Sequence, residues 1–382
     1  MREVRMLLNP RAAARGQAYP MSAPLTAAGF AKAVREVRSW PGYAPTPLVV
    51  LPALADALGL AAIRYKDERG RFGLKSFKAL GGAYAVRRVL ARQNRPAAEV
   101  TVTCATDGNH GRSVAWGAQL FGCSCVIFVH ATVSEGRAEA IRRYGAEVRR
   151  VKGNYDDAVR HAAGEAGRHG WYVVSDTSYE GYRDVPLDVM HGYGVMAEES
   201  MAQWPAGGAP THIFVQAGVG ALAAAICASF WLRWRKRRPR FVIVEPVRAD
   251  CIYRSLEAGR PAAVHGGLET VMAGLACGEV SQLAWEVLAT GADAAVAIDD
   301  AFALDAVRRL ASPRGGDPAI VAGETGGAGL AALLALGERP EFRAPLALGP
   351  QAEVLLLGSE GDTDPEIYRR IVGRGAEEVL AA

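Results

Sequence analysis

Residues 99–120 read EVTVTCATDGNHGRSVAWGAQL, in which a β-branched run, a glycine turn and an amphipathic stretch follow one another. The run Val100–Cys104 predicts a strand, and the stretch Gly111–Leu120 predicts a helix. The alternation continues as far as residue 175. The further elements expected there are strands at 125–129, 147–151 and 171–175 and helices at 134–144 and 155–167. Strands that alternate with helices in this way predict βαβ units around a parallel sheet.

A second series of the same kind follows a connector, residues 204–210, that is rich in proline and glycine. Its expected elements are strands at 212–216, 240–245 and 353–358 and helices at 221–234 and 299–310. A chain of 382 residues is too long for one simple core. We therefore predict an α/β fold of two domains, with parallel-rich sheets flanked by helices. Residues 1–98 and 206–382 form the large domain in this prediction, and residues 99–205 form the smaller α/β domain.

The composition favours a globular protein without a nucleic-acid or membrane partner. Apolar residues make up 50% of the chain, and the formal net charge is only +4, with both signs interspersed. The basic run 233–240 ends a predicted helix, where cations suit the helix dipole. The longest apolar stretch, 220–234, is shorter than the roughly 20 residues of a membrane span and predicts a buried helix. Residues 1–20 lack a secretory pattern, so we expect a cytoplasmic protein.

The six cysteines are scattered, at positions 104, 123, 125, 227, 251 and 277. They lack the paired spacing of a zinc site, so no metal is expected. Most are expected to be small core residues in a reducing compartment. Cys251 and Cys277 flank the expected mouth of the site. A disulfide formed under oxidation and two free thiols are both open there, and the second is the simpler expectation.

The stretch Ser76–Tyr84, SFKALGGAY, places a lysine between apolar side chains at the start of a predicted helix. A lysine that forms a Schiff base must be desolvated enough to lose its proton. Phe77 and Leu80 supply such surroundings for Lys78, and the two glycines that follow are expected to let a bulky ligand approach the backbone. A lysine beside glycines is more often a solvated helix residue, so this interpretation needs support from other motifs.

Three further motifs each end a predicted strand with a turn. The loop 106–112, TDGNHGR, offers Asp107 as a titrating group and Asn109 as a hydrogen-bond donor to a phenolic oxygen. The turn 216–221, QAGVGA, has backbone N–H groups that can cradle a phosphate before a helix. The stretch 355–361, LLLGSEG, includes Ser359, which can face a pyridine nitrogen. Taken singly, the first and third motifs are more simply interpreted as helix caps, and the second is often just a tight turn.

Together and in this order, the four motifs resemble the fold type II enzymes that use pyridoxal 5′-phosphate (PLP), which are similar to the tryptophan synthase β subunit. That group includes serine and threonine dehydratases, threonine synthase and cysteine synthase. Within it, the chain from about Trp40 onward is similar to the diaminopropionate ammonia-lyases. This closer resemblance rests on the stretches 39–48, 105–111, 176–182, 272–278, 324–329 and 359–365. The aspartate of the loop 106–112 is a mark of that family, whereas general dehydratases usually begin the loop with a serine.

The resemblance implies PLP as the cofactor and a role for each matching residue. Lys78 would hold the cofactor as a Schiff base, next to Phe77. The other implied cofactor contacts are Asn109 at the phenolic oxygen, Ala217, Gly218, Val219, Gly220 and Ala221 at the phosphate, and Ser359 at the pyridine nitrogen. Asp107 would be a second acid/base, and Asp176 would face the β-ammonium of the substrate.

The expected function is then the family's reaction, the elimination of D- or L-2,3-diaminopropionate to pyruvate and ammonia. A homodimer that acts on this small amino acid is implied as well. Lys75 and Arg112–Ser113 stand where smaller residues are expected, which leaves substrate details open. Two alternatives remain, a serine or threonine dehydratase and a catalytically silent binding protein with the same fold. Retention of Lys78, Asp107 and Ser359 argues against the silent protein.

Overall fold

The structure, a computed structural model, describes residues 2–106, 108–153 and 155–381. The strands in these ranges form two sheets, one of seven strands and one of four. Numbered along the chain, they are β1 (Val4–Leu8), β2 (Leu48–Val50), β3 (Ala62–Asp67), β4 (Thr101–Ala105), β5 (Ser124–His130), β6 (Glu147–Val151), β7 (Tyr172–Val173), β8 (His212–Gln216), β9 (Arg240–Pro246), β10 (Ala294–Ile298) and β11 (Glu353–Gly358).

Helices cover both sheets. The α-helices of the described ranges are α1 (Ala27–Arg38), α2 (Pro52–Leu58), α3 (Lys78–Arg92), α4 (Asn109–Phe121), α5 (Glu135–Arg142), α6 (Tyr155–His169), α7 (Asp184–Gln203), α8 (Ala221–Trp234), α9 (Cys251–Ala258), α10 (Gln282–Gly291), α11 (Asp300–Ala311), α12 (Ala328–Gly337), α13 (Pro340–Leu346), α14 (Pro365–Val372) and α15 (Ala376–Leu380). Short 3₁₀ turns lie at Glu68–Gly73, Ala97–Glu99, Arg235–Arg237 and Ala273–Leu275.

The larger sheet has the strand order β1-β10-β9-β8-β11-β3-β2. Its inner pairs are parallel, whereas the outer strands β1 and β2 run antiparallel to their neighbours. The register places Gln216 of β8 opposite Val244 of β9, and Gly358 of β11 opposite Asp67 of β3. The carboxyl ends of the parallel strands therefore meet at one edge of the sheet, where α/β proteins bind ligands.

The larger sheet is buried on both faces. Along β8, Ile213 and Val215 belong to one hydrophobic core and Phe214 to the other. Helices α8 and α10 pack together on the first side, and α11 and α12 pack together on the second. Such double burial is typical of parallel sheets, and it explains why these strands read as continuous apolar runs without alternation.

The smaller sheet has the order β6-β5-β4-β7, and all of its pairs are parallel. Helix α3 packs against α4, which follows β4, and also against α7. The contact with α4 depends on Gly117, because a Cβ there would lie 2.7 Å from the Cα of Ala83. Helix α3, whose first residue is Lys78, therefore runs directly beside α4 and α7.

The predicted α/β fold with parallel-rich sheets flanked by helices is confirmed. The strands of the larger sheet come from residues 4–67 and 212–358, and those of the smaller sheet come from residues 101–173. The domain boundaries themselves stay a prediction. The apolar stretch 220–234 forms the buried helix α8, as expected. No helix in the described ranges is both long and apolar enough to cross a membrane.

Candidate active site

Strand ends of both sheets bring the predicted site residues together. These residues are Lys78 at the start of α3, Asn109 after β4, Asp176 after β7, Ala217 to Ala221 after β8 and Ser359 after β11. Hydrogen bonds join their segments, since the Phe77 N–H donates to the Ser359 carbonyl oxygen at 2.9 Å. Gln216 Nε2 also donates to Ser359 Oγ at 2.6 Å. Motifs that are far apart in the sequence therefore line one region of the molecule.

Lys78 and Asp176 form an ion pair between Nζ and Oδ2. The exposed fraction of the side chain is 22% for Lys78 and 14% for Asp176, so both charges are largely withdrawn from water. Burial by itself would lower the pKa of Lys78 and raise that of Asp176. Their mutual attraction more than offsets burial, so the Lys78 pKa lies above its ordinary value and the Asp176 pKa lies below. Lys78 is therefore an ammonium while Asp176 holds it.

His110 lies next to Asp176, although no role is predicted for it from the sequence. Its Nε2 is 2.8 Å from the Val174 carbonyl oxygen, which assigns the ring hydrogen to Nε2. Its Nδ1 is 3.9 Å from Asp176 Oδ2 and has no hydrogen-bond partner among the described residues. Burial lowers the pKa of His110, so the ring is neutral near pH 7. His110 thus packs against the carboxylate without neutralising it, and the Asp176 charge remains available for a cation.

The turn after β8 has backbone N–H groups that are not used within the described residues of the fold. Within the described part of the chain, no acceptor is found for the N–H groups of residues 218–221. Gly220 has a φ of +92°, which favours glycine. A Cβ on Gly218 would lie 2.9 Å from Cys277 Sγ and 3.0 Å from the Gly274 carbonyl oxygen. Positions 218 and 220 therefore require glycine, and the free N–H groups of the turn and the following helix α8 favour an anion.

Ser359 is held with its hydroxyl oxygen in the acceptor role. Gln216 Nε2 donates to Ser359 Oγ at 2.6 Å and to the Leu357 carbonyl oxygen at 2.8 Å. The Ser359 side chain is buried, and its own hydroxyl hydrogen has no acceptor among the described residues. Because a hydroxyl can donate one hydrogen bond while it accepts others, Ser359 can still donate to a ring nitrogen.

Asn109 lies between opposite charges. Arg112 Nη2 donates to Asn109 Oδ1 at 2.9 Å, and Asn109 Nδ2 donates to Glu360 Oε2. A cation on one side and a carboxylate on the other orient the amide, so its N–H₂ end faces the loop after β11. Arg112 is buried and also donates to the Leu74 carbonyl oxygen, just ahead of Lys78. The unexpected arginine therefore orients Asn109.

Lys75 has a structural explanation too. Its Nζ is 2.6 Å from Asp362 Oδ2, and its backbone has a φ of +54°, in the left-handed region. Phe72, three positions earlier, has a φ of +48°. Two residues other than glycine in this region indicate a backbone that the surroundings hold under strain. The Lys75–Asp362 pair ties this strained segment to the loop after β11.

The structure corrects the expectation that Gly81 and Gly82 let a bulky ligand approach the backbone. A Cβ on Gly81 would lie 2.4 Å from Tyr193 Cε1, and a Cβ on Gly82 would lie 1.9 Å from Ser113 Oγ. These glycines allow α3 to pack against α7 and α4, so they do not serve to admit a ligand. Ser113, the other unexpected residue, is buried in this contact and donates to the His110 carbonyl oxygen at 2.8 Å.

The remaining expectations about the site concern Asp107, the cysteines, a metal and Phe77. Asp107, the expected second acid/base, lies outside the described residues. Cys251 is a buried free thiol whose Sγ is 3.6 Å from the Gly218 carbonyl oxygen. No group of three or more potential metal ligands occurs in the parts of the chain that the structure describes. Phe77 is buried, with its ring 5.5 Å from Lys78 Nζ.

Comparison with known proteins agrees with this arrangement. The family model described as "Pyridoxal-phosphate dependent enzyme" matches residues 39–354. The diaminopropionate ammonia-lyase of Escherichia coli (strain K12) is 40% identical over 377 residues, covering 94% of this chain and 95% of that protein. The chain belongs to the diaminopropionate ammonia-lyase family. The family is one of pyridoxal-phosphate dependent enzymes, so PLP is the cofactor implied for this member.

Solved structures of the Escherichia coli ammonia-lyase share the fold of this family member. The complex with an aminoacrylate-PLP azomethine reaction intermediate has a TM-score of 0.90 and 38% identity, covering 97% of each chain. The complex with D-serine has a TM-score of 0.90 and 37% identity, covering 99% of each chain. The likeness extends over both sheets and the strand ends between them, so this ammonia-lyase family member has the fold of a type II PLP enzyme.

Proposed function

We propose that the protein is a PLP-dependent lyase that eliminates 2,3-diaminopropionate, as the D-isomer, the L-isomer or both, to pyruvate and ammonia. The observation that carries the proposal is the ion pair of the largely buried Asp176 with a primary ammonium, that of Lys78. The substrate bears the same group on its β-carbon, which can replace Lys78 beside this carboxylate. Serine has only a hydroxyl at that position, so it would leave the carboxylate without a cation. Similarity to the Escherichia coli ammonia-lyase over nearly the whole chain supports the proposal.

The residues at the strand ends fit PLP. The free N–H groups of residues 218–221 and the dipole of α8 suit its phosphate. The hydroxyl hydrogen of Ser359 suits its ring nitrogen, the amide of Asn109 suits its phenolic oxygen, and the amine of Lys78 suits its aldehyde. When bound, PLP supplies the electron sink that delocalises the charge left on Cα after loss of a proton.

The chain's own residues divide the remaining work between proton transfer and charge binding. Lys78, as a free amine, takes the proton from one face of Cα. Asp176 holds the β-ammonium, which is already protonated near pH 7 and needs a counter-charge more than an acid. Asp107, whose role is implied by the resemblance alone, is proposed as the second base on the opposite face. With two bases, either enantiomer of the substrate can lose its Cα proton.

The purified protein should therefore release pyruvate faster from diaminopropionate than from serine. D- and L-diaminopropionate, D- and L-serine and L-threonine are compared by pyruvate and 2-oxobutyrate release. Loss of a largely buried partner for an ammonium costs about 2–4 kcal/mol, roughly thirtyfold to a thousandfold in kcat/KM. Asp176→Asn should lose that much with diaminopropionate and much less with serine. Equal turnover of serine and diaminopropionate by the wild type would instead support a serine dehydratase.

We propose further that the protein is a cytoplasmic homodimer with domains 1–98 plus 206–382 and 99–205. Relatives with this fold are commonly dimers, and the buried thiols of Cys104, Cys125 and Cys227 suit a reducing compartment. Sedimentation of the holoenzyme tests the homodimer, and cell fractionation tests the cytoplasmic location. Limited proteolysis at residues 98–99 and 205–206 tests the domain boundaries. A monomer, a secreted protein, or cleavage at other sites would each contradict one part.

A further inference from the structure

Tyr193 of α7 approaches the candidate site through two glycine contacts. A Cβ on Gly192 would lie 2.4 Å from the Leu80 carbonyl oxygen, and a Cβ on Gly81 would lie 2.4 Å from the Tyr193 ring. Only glycine at both positions allows α3 and α7 this close. The Tyr193 ring then packs against Phe77, with 4.7 Å between ring centroids, and its centroid is 6.0 Å from Lys78 Nζ.

The Tyr193 hydroxyl is buried and makes no hydrogen bond of normal geometry among the described residues, and the polar group that faces it is the Lys78 ammonium. Most buried hydroxyls of folded proteins are hydrogen-bonded, because a polar group withdrawn from water destabilises the fold when it is unpaired. Burial raises the pKa of this phenol, so the hydroxyl keeps its hydrogen and remains a donor. The Lys78 ammonium has no lone pair to accept this hydrogen, so the donor gains an acceptor only when Lys78 becomes a neutral amine.

The charge on Asp176 indicates which group accepts the hydrogen bond of the Tyr193 hydroxyl. One buried carboxylate holds the Lys78 ammonium in this state, and it cannot also hold a second ammonium in the same way. When the β-ammonium of a substrate takes the carboxylate, Lys78 must be a neutral amine whose lone pair needs orientation. The titratable groups facing Lys78 in the described chain are Asp176, Tyr193 and Cys277, with His110 and Cys104 beside Asp176. Tyr193 is the neutral oxygen donor in this set.

We propose that Tyr193 is a positioning residue for Lys78: the Tyr193 hydroxyl donates a hydrogen bond to the Lys78 amine whenever that amine is neutral, as it must be once Asp176 binds the substrate ammonium. No covalent bond forms or breaks, and the proton stays on the phenol oxygen. The inference rests on the proposed function for the identity of the second ammonium. It assigns a role to a residue that no sequence motif marks.

Tyr193→Phe removes the hydroxyl and keeps the ring. The holoenzyme's kcat for diaminopropionate should fall about three- to tenfold, the range for one hydrogen bond, with KM within about twofold. The unfolding temperature of the cofactor-free protein should not fall, because the hydroxyl donates to no acceptor among the described residues. Tyr368→Phe is the matched control, since the Tyr368 hydroxyl of α14 is also buried and unpaired among the described residues. It should change neither kcat nor KM.

An unchanged kcat in Tyr193→Phe would overturn the inference, because a phenol that only packs would give that result. A lower kcat accompanied by a lower unfolding temperature would also overturn it, since the hydroxyl would then belong to the fold. If the wild type fails to release pyruvate from diaminopropionate, the proposed function fails, and the inference is tested without substrate as follows.

Capture of PLP on Lys78 by the cofactor-free protein, trapped with borohydride and quantified by mass spectrometry, reports on the neutral amine at each pH. Loss of a donor to that amine should move the half-maximal pH upward by about half a unit to one unit in Tyr193→Phe. Tyr368→Phe should match the wild type. Identical capture profiles for the wild type and Tyr193→Phe would overturn the inference whatever the substrate is.

Discussion

Asp176 and Lys78 are 98 positions apart in the chain, yet their charged groups form one ion pair. Each residue is predictable from its own motif, but their contact is not, because it depends on where β7 ends relative to the start of α3. The same holds for Asn109 and Glu360, which both lie in motifs of the sequence, while the hydrogen bond between them is not visible there. Single residues of the site are therefore predictable, and their partners are not.

Lys78→Ala should abolish the visible absorption band of the covalently bound cofactor. Lys78→Arg should be no better, because arginine keeps the charge but cannot form the Schiff base. Absorption spectra before and after borohydride reduction measure the effect. The matched control is Lys32→Ala, which removes an exposed lysine from α1 and should leave the band unchanged. A wild-type protein that stays colourless with added PLP would contradict the cofactor assignment for this chain.

Asp107→Asn should separate the activities toward the two enantiomers. If Asp107 serves the D-isomer and Lys78 the L-isomer, D-elimination should fall about a hundredfold to ten-thousandfold, the usual cost of losing a general base. L-elimination and the cofactor spectrum should change little, because asparagine keeps the size and hydrogen-bonding shape of aspartate. Pyruvate release from each isomer is the measurement. A parallel loss of both activities with an altered spectrum would assign Asp107 to the cofactor loop.

Helix α7 illustrates, at the scale of one element, packing that the sequence does not predict. It is buried along most of its length, and it carries both the site residue Tyr193 and the packing residue His191. The His191 ring lies against α1, because a Cβ on Gly29 would be 2.1 Å from His191 Nε2. Its ring is also 5.3 Å from that of Phe30. A stretch of mixed polarity that is buried on all sides gives no clear helical period, so its packing is not predictable from the sequence.

Acid should loosen the contact between α7 and α1. Burial, with the nearby Arg88 charge, lowers the pKa of His191 from 6.5 to about 4. A base whose pKa is depressed in the folded state contributes stability above pH 6.5 that is lost as pH falls through 6.5 toward 4. The loss is of the order of 3 kcal/mol. Urea unfolding at several pH values should show it.

His191→Gln should flatten this pH dependence, because glutamine does not titrate. His265→Gln, which alters an exposed histidine, should keep the wild-type slope. An unchanged slope in His191→Gln would place the acid sensitivity elsewhere in the protein.

At the scale of the whole molecule, a buried charge network joins distant parts of the chain. Glu199 of α7 accepts hydrogen bonds from Lys66 of β3 at 2.7 Å and from Arg71 at 2.7 and 2.9 Å. Arg71 also donates to Glu68 at 2.8 and 2.9 Å. All four side chains are at most 1% exposed. Two cations and two anions balance, so the network holds the segment ahead of Lys78 against α7.

Glu199→Gln should strongly destabilise the protein, because it leaves a buried positive charge without its partner. The expected loss in the free energy of unfolding is about 3–5 kcal/mol. Chemical unfolding of the holoenzyme measures it. Glu198→Gln, the same change at the exposed neighbouring position, should alter stability by no more than about 0.5 kcal/mol. Similar stability of the two variants would show that the network contributes little to the fold.

The overall fold was more predictable than the two strands at each end of the larger sheet. Strands β8 and β11 and helix α8 begin and end where the sequence pattern predicts them. The pattern does not predict β1, β2, β3 and β10. β2 has only three residues, and β10 reads AAVAI, which gives neither alternation nor strong β propensity. Their positions are set by neighbouring strands, which supply hydrogen bonds that a single segment does not reveal.

Strand β1 caps the larger sheet, since Val4 to Leu8 pair with all five residues of the fully buried strand β10. Without these residues, β10 would present a row of unsatisfied backbone groups flanked by small apolar side chains. Such an edge is a template for another chain. A version of the protein shortened by its first eight residues should therefore form intermolecular β-structure and precipitate during expression, even though every residue of the candidate active site is retained.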